Sequence, residues 1–445
     1  MKNRIKASVL TVVTALTLSG CGDLLDVNNP NNLVEESISQ AAAASAVVNG
    51  SLSLVSSAIS QIWQPYLVTS DEVYWIGSRD AWLALDQGFI GNPENEFSDG
   101  AFPSVGRGRW MADQAIKILQ GHASGDPSFN YDLARANHFA GIMYTVIGEV
   151  MEDFAFSDKT ESGAPVGPGN MGTQVLDKGI TYLSTAISSY ESLGNADRAV
   201  AAKAMRARAH QSRAIWDVIN PTASGTFTTV NASAAAADAQ AVITAAGGNS
   251  ADVEYDLVYS SGSQTNSMGG WINDRKENQY STQLVTLDAN NNRTGVAMMD
   301  PIDNIVDPAV TKRMKSWGCG AADGNCGPYS PLTISSTRLM HLILAENALA
   351  GGDGATFTTH INHIRAMDGL TAFSGQISNN DMLQHTRRAN TMIMGLRLAD
   401  MYRFGLTDPK WEAQSDAIST PGEMLPITII EIRANCHLNG QGCGG

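Results

Sequence analysis

Two helical patterns that fold back on themselves through glycine-led turns constrain this chain more than any other feature. In the first, about Gln174 to Leu193 and Ala196 to Ile219 read as helices separated only by Gly194-Asn195, and Pro221 ends the second. So short a connection makes the two helices antiparallel neighbours. The second is Ala-rich, as close helix packing requires. In the other pattern, Leu339, Leu342, Ile343, Glu346 and Leu349 recur at helical steps up to Gly351-Gly352. Phe357, Ile361 and Ile364 then carry another helix to Asp368-Gly369.

From Thr337 to Gly369 this hairpin is 33 residues long, close to the tetratricopeptide period of about 34. Such hairpins bury their apolar faces on one another and build a right-handed scaffold. Val34 to about Trp63 is a further Ala-rich helical pattern. Leu133, Ala136, Ala140, Met143, Tyr144, Ile147, Val150, Met151 and Phe154 mark another, with Asp132 available as a cap. By contrast, Ser70 to Pro103 and Gly248 to Tyr329 are rich in Gly, Ser, Asn and Asp and short on helical period. The expected fold is mainly α: tetratricopeptide-like helical hairpins forming a scaffold, with long irregular loop regions, about 70–103 and 248–329, carrying short strands. Loops on a rigid scaffold are where binding groups usually sit.

The N-terminus sets the compartment. Lys2, Arg4 and Lys6 precede an uncharged, largely apolar stretch from Ala7 to Leu18 that is too short to span a bilayer. Leu18-Ser19-Gly20-Cys21 then places a cysteine where bacterial lipoproteins are cut and acylated. Residues 1–20 are expected to be a signal peptide, Cys21 the lipidation site, 21–33 a polar tether with a turn at Asn29-Pro30, and 34–445 one domain. At about 0.8 kcal/mol per buried CH₂, several acyl chains hold a protein effectively permanently. Beyond Cys21 no run of about 18 uncharged apolar residues occurs, so the lipid is the one expected membrane contact.

The formal net charge is −15, and losing a leader with three basic and no acidic residues makes it more negative. Nucleic acid and anionic lipid headgroups are therefore poor partners. Charged residues are only 16% of the chain, so the surface is expected to be largely neutral and polar, which suits uncharged, hydroxyl-rich ligands and equally fits a merely soluble protein. The four remaining cysteines fall as Cys319/Cys326 and Cys436/Cys443. Outside the cytoplasm two disulfides are the natural reading, and the matched short spacings favour local pairing among the three pairings possible. A four-thiolate zinc site is the alternative, though its cysteines usually stand two to four residues apart.

Catalytic motifs are absent: no G-x-S-x-G, H-E-x-x-H, Walker loop or strand-linked G-x-G-x-x-G occurs, and no cofactor is implied. His360 and His363 share a helix face without a suitably spaced further ligand and read as a surface pair. Asp288, Asn290 and Asn292 begin like a calcium loop, but Arg293 replaces its glycine and Met299 its bidentate Glu. Aromatics cluster instead, nine of them from Trp63 to Trp110. Trp63 and Trp110 lie on helical patterns and are assigned to the core. Tyr74, Trp75 and Trp82, with Trp271 and Trp317 in similar irregular sequence, are the candidate exposed platforms for a sugar ring or peptide side chain.

An ordered set of motifs resembles the SusD/RagB family of outer-membrane nutrient-binding lipoproteins. It begins with Cys21-Gly22-Asp23-Leu24-Leu25 and the acidic pair Asp71-Glu72, and continues with Asp307-Pro308-Ala309-Val310-Thr311-Lys312-Arg313. Ala345-Glu346, Ile361-Asn362-His363-Ile364-Arg365, Arg387-Arg388, Gly395-Leu396-Arg397, Asp400 to Gly405 and Leu425-Pro426-Ile427 complete it in family order. Arg387, Arg388, Arg397, Asp400 and Arg403 fall on one predicted helix and are expected to form locking ion pairs and caps. The resemblance implies a non-catalytic lid on a TonB-dependent, SusC-like barrel in the cell outer membrane, capturing an oligosaccharide or peptide at the cell exterior. An extracytoplasmic tetratricopeptide-like scaffold for other proteins is the alternative.

Overall fold

The computed structural model of the protein describes residues 38–158, 161–317 and 327–443. Cys21, Cys319 and Cys326 lie outside the described residues, so the expected lipidation and one expected disulfide do too. By its contacts the chain divides into Met1–Ala44 and Ser45–Gly445. Of the former, a short 3₁₀ turn at Ala41–Ala43 is described.

The order of elements is α1 (Ala44–Thr69), β1 (Val73–Trp75), α2 (Asp80–Asp86), α3 (Glu96–Ala123), α4 (Asn130–Val150), β2 (Phe154–Ala155) and β3 (Pro165–Val166). Then come α5 (Asp177–Ser192), α6 (Ala196–Ile219), α7 (Ser233–Ala245), β4 (Glu254–Leu257), β5 (Asn278–Tyr280), β6 (Val285–Leu287) and β7 (Arg293–Val296). The chain continues through α8 (Pro308–Ser316), β8 (Leu332–Ser336), α9 (Thr337–Ala350), α10 (Gly354–Met367), α11 (Asn379–Asn390) and α12 (Arg397–Phe404). Helices dominate, and the strands pair only two by two, antiparallel: β1 with β5, β2 with β3, β4 with β8 and β6 with β7.

A row of contacting helices, α3, α4, α5, α6, α7, α9 and α10, forms the scaffold. The α5/α6 and α9/α10 hairpins are those the sequence spells out, and α6 begins where Asn195 caps it by accepting from the Arg198 N–H. Between α6, α7 and α9 the core is made of Ala204, Ala207, Ala239, Val242, Leu339 and Ile343. Alanines there let the axes approach, while each fully buried aliphatic side chain contributes about 1.5–3 kcal/mol. Helices α4 and α5 approach closely: a Cβ added to Gly141 would lie 2.5 Å from Cγ of Leu183. Helix α1 is long and apolar enough to cross a membrane, yet it is a core element, with Ile59, Ile62, Trp63, Tyr66 and Leu67 buried.

Several elements depart from the sequence expectation. The stretch expected to be irregular at 70–103 contains α2 and the start of α3, which Asn95 caps by accepting from the N–H groups of Phe97 and Ser98. Pro103 and Gly100 interrupt the helical pattern without ending the helix. In 248–329, Asp307 caps α8 by accepting from the N–H groups of Ala309 and Val310. Helix α4 ends at Val150, so Phe154 falls on β2. The arginine-rich segment is two helices rather than one: α11 stops at Asn390, and Ile393 and Gly395 both take positive φ before α12.

That break folds the motif residues into a buried charge cluster. Arg387 meets Asp400 at 2.8 Å and Glu346 of α9 at 3.4 Å, and Arg403 reaches both carboxylates. Glu346 also accepts from Gln211 and from the Val230 N–H, each at 3.0 Å. Burial alone would raise the Asp400 carboxyl, but the Arg387 and Arg403 charges hold it below its ordinary value. Asp71 accepts a fork from Arg397 at 2.6 and 2.8 Å and pairs with Arg388 at 2.9 Å. These residues bolt α11 and α12 to α9 and to the end of α1. Near the C-terminus Cys436 and Cys443 are disulfide-bonded, with Cα atoms 4.8 Å apart.

Candidate functional site

The β1/β5 pair brings together two segments far apart in sequence, with Val73 opposite Tyr280 and Trp75 opposite Asn278. Just beyond it, the Glu277 carboxylate accepts from the N–H groups of Ser78 and Arg79 and from the Ser78 hydroxyl at 2.9–3.3 Å. Burial acts to raise Glu277, but these donors hold it below its ordinary value. The turn so fixed delivers Arg79 and then α2, which carries Trp82. Asn95, besides capping α3, donates to the Ala81 carbonyl at 2.8 Å and so ties α2 to the first turn of α3, where Phe97 sits. On the other side, a π turn at Gly270–Asp274 presents Trp271.

The result is a three-ring corner. Trp82 and Phe97 stack with centroids 3.6 Å apart, and Trp271 stands edge-on to both at 5.6 and 5.3 Å. The Arg275 guanidinium lies 4.6 Å from the Trp271 ring centroid and that of Arg79 5.6 Å from it. Arg79 is held by Glu96 at 2.8 Å. These side chains, with Gln61 and Gln64 of α1, border a groove of about 300 Å³. Gln64 donates to Asn278 of β5 at 2.8 Å, and Gln61 accepts from Ser104 at 2.9 Å, so the amides are oriented before any ligand arrives. Chemically, the groove offers flat apolar faces beside fixed amide, guanidinium and carboxylate groups, and no nucleophile paired with a base.

No protein-family model matches the sequence, and no curated protein matches it. Among solved structures, a SusD homolog from Bacteroides thetaiotaomicron superposes with a TM-score of 0.62 at 11% identity, covering 90% of this chain and 96% of that one. A SusD-like carbohydrate binding protein from Bacteroides vulgatus gives 0.57 at 11% identity, covering 90% and 98%. A laminarin binding SusD-like protein gives 0.54 at 14% identity, covering 88% and 97%. Each likeness spans nearly the whole of both chains. The chain has the SusD fold.

Within this SusD fold, the five candidate platforms separate. Trp271 is half-buried and borders the groove. Trp82 borders it too but is 1% exposed, so it backs Phe97 instead of serving as an open platform. Tyr74 is also buried: its hydroxyl bonds Asp408 and Gln283, and the Lys410 ammonium lies 3.6 Å from its ring centroid. Trp317 is fully buried edge-on to Tyr280. For Tyr74, Trp82 and Trp317 the expectation of exposure is thus corrected: irregular sequence here packs inward, and the SusD fold covers these rings. Trp75 is half-buried on β1 and is not among the groove-lining residues.

Phe97, Arg79 and Arg275 are groove residues that the sequence did not single out as binding groups. Phe97 stood among the clustered aromatics, and its capping Asn95 was the available signal. Trp110, assigned to the core, is half-buried and lines a second, more apolar cavity of about 420 Å³ with Phe102, Pro103 and Ile430. A helical pattern does not say which side of the helix is covered.

Proposed function

We propose that this protein is a cell-surface nutrient-binding lipoprotein that captures an oligomeric glycan in the groove beside Trp271 and leaves it chemically unchanged. The observation that carries the reading is the corner of Phe97 and Trp271, rimmed by Arg79, Arg275, Glu96, Gln61 and Gln64. Sugar C–H faces pack on aromatic rings, and hydroxyls pair with oriented amides and charged groups. The fold supports it as well, since similar structures are described as carbohydrate binding and laminarin binding. We further propose that residues 34–445 act as one domain tethered through Cys21 to the outer membrane. There it would deliver its ligand to a TonB-dependent, SusC-like barrel, in keeping with the order of motifs.

Calorimetry of the mature protein against neutral oligosaccharides and against peptides tests this, with product analysis after long incubation. The expected outcome is saturable binding of an oligosaccharide without cleavage. Trp271→Ala and Phe97→Ala should each weaken it by about 1–3 kcal/mol, roughly 5- to 150-fold, with the helical signal unchanged. Cleavage would make the protein an enzyme. Binding of a protein partner alone would favour the scaffold role.

A further inference from the structure

The cavity of about 420 Å³ beside Trp110 shares helix α3 with the groove but has no lining residue in common with it. Helix α3 forms one wall, the end of β2 with Ser157 and Asp158 a second, and the short C-terminal helix Ile429–Ala434 a third. Asp99 of α3 accepts from the Ile430 N–H at 3.0 Å, and Asn435 donates to the Ser157 hydroxyl at 3.2 Å, so the chain ties its three walls together. Packing does not account for two of the lining residues. Gly106 stands inside α3, where glycine costs a helix stability. A Cβ added to Gly108 of the same helix would lie 3.1 Å from Cβ of Ala58, so a neighbour requires that glycine. One added to Gly106 would meet nothing within 4 Å among the described residues. Ile430 is an aliphatic side chain left 49% exposed on the same cavity.

We propose that this cavity is a second binding site, separate from the groove beside Trp271, for one small, flat, uncharged aromatic molecule. Its volume falls in the range of about 300–1,000 Å³ usual for small-molecule pockets. Gly106 leaves a floor of bare helix backbone on which a planar ligand can lie. Trp110 supplies a flat wall, and its indole N–H donates to Asp158, which fixes the ring's orientation. Phe102, backed by Phe154 at 5.4 Å between centroids, and Pro103 and Ile430 complete an apolar lining. A sugar suits such a wall poorly, because it carries hydroxyls on every edge and burying them beside apolar side chains leaves them without partners.

The charged groups around the cavity select against an ionic ligand. Two guanidinium groups, Arg107 and Arg109, and two carboxylates, Asp158 and Glu431, line it and balance one another. Each is already engaged by the chain. Arg109 pairs with Asp113 at 3.4 Å, and Arg107 donates to the Ser104 hydroxyl at 3.0 Å. Glu431 accepts from the Ser157 hydroxyl at 2.6 Å and from Asn435 at 2.9 Å. An anion entering here meets two carboxylates and a cation meets two guanidinium groups, and either gives up its hydration to do so. A neutral ring pays neither cost and gains the apolar contact.

The test is calorimetric titration of the mature protein at neutral pH with β-naphthol, which is uncharged there, and with its ionic relatives β-naphthoate and β-naphthylmethylammonium. One equivalent of β-naphthol is expected to bind with a Kd of about 100 µM or tighter, and each ion about tenfold more weakly or worse. Gly106→Leu puts a side chain into the cavity and a better helix former into α3, so it should weaken binding about tenfold or more while circular dichroism stays unchanged. Trp110→Ala should act in the same direction. Trp271→Ala should bind β-naphthol as the parent does, which separates this site from whatever the groove holds. No saturable binding of β-naphthol up to about 1 mM would overturn the proposal. So would unchanged binding in the Gly106→Leu/Trp110→Ala double variant, loss of binding in Trp271→Ala, or an ion that binds as tightly as β-naphthol.

Discussion

Glu346→Gln is the substitution whose cost the structure specifies most fully. The cluster around it holds two guanidinium groups, Arg387 and Arg403, and two carboxylates, Glu346 and Asp400, all at most 1% exposed. Its charges balance as it stands. Glutamine keeps the shape of the side chain but leaves one buried cation uncompensated. Breaking such a pair costs about 3–5 kcal/mol, and the amide carbonyl retains part of the hydrogen bonding, so about 3 kcal/mol is expected. With an unfolding entropy near 2.1 cal/mol/K per residue, a body of roughly 400 residues loses about 1.2 °C per kcal/mol, which makes the expected fall in Tm about 4 °C. Scanning calorimetry at neutral pH reads it directly. Adding Arg387→Met should recover about half of the loss, because that change restores the balance of charge. Nη2 of Arg387 has no hydrogen-bond partner among the described residues, which makes it the less costly cation to remove. A Tm within about 1 °C of the parent would refute the reasoning. So would a double variant less stable than the sum of the single losses.

Two other outcomes follow from single residues. Burial, together with the Asp71 charge, raises Glu72 from 4.5 to about 8, so the folded chain holds this proton more tightly than the unfolded one. The associated stability is present below about pH 4.5 and is lost as pH rises through about 8. Melting curves should therefore show Tm falling from about pH 5 to 9 more steeply in the parent than in Glu72→Gln. Cys21→Ser should leave the protein unanchored or unprocessed, which membrane fractionation reads. Normal processing with membrane retention would exclude lipid attachment at that residue.

The helical scaffold was legible where local signals agreed. Helix α6 runs from Ala196 to Ile219 as read, since Asn195 caps its start and Pro221 follows its end. The α9/α10 hairpin is bounded equally well, by Ser336 accepting from the Leu339 N–H and by the glycines at 351 and 352. Helices α2 and α3 were not legible, because Pro103 and the glycines of α3 resemble punctuation when only neighbours in sequence are considered. The groove was half-legible. Trp82 and Trp271 stand out by lying in sequence without helical period, and the β1/β5 pairing does bring them together. Which ring stays open is decided by tertiary cover, and no local pattern reports that Phe97 would lie over Trp82 or that Tyr74 would face Asp408.

The β1/β5 pairing also bears on the order in which the molecule assembles. Hairpins such as α5/α6 and α9/α10 close small loops and can form while most of the chain is still searching. Val73 and Tyr280 meet only after the whole of α3 to α7 lies between them as a closed loop. Loop-closure entropy makes such contacts slow to form, as it does the Asp71–Arg397 pair, which closes a still longer loop. On that account the walls of the groove come together after the helices. An assembled groove is then itself a report that the helical hairpins beneath it have already closed.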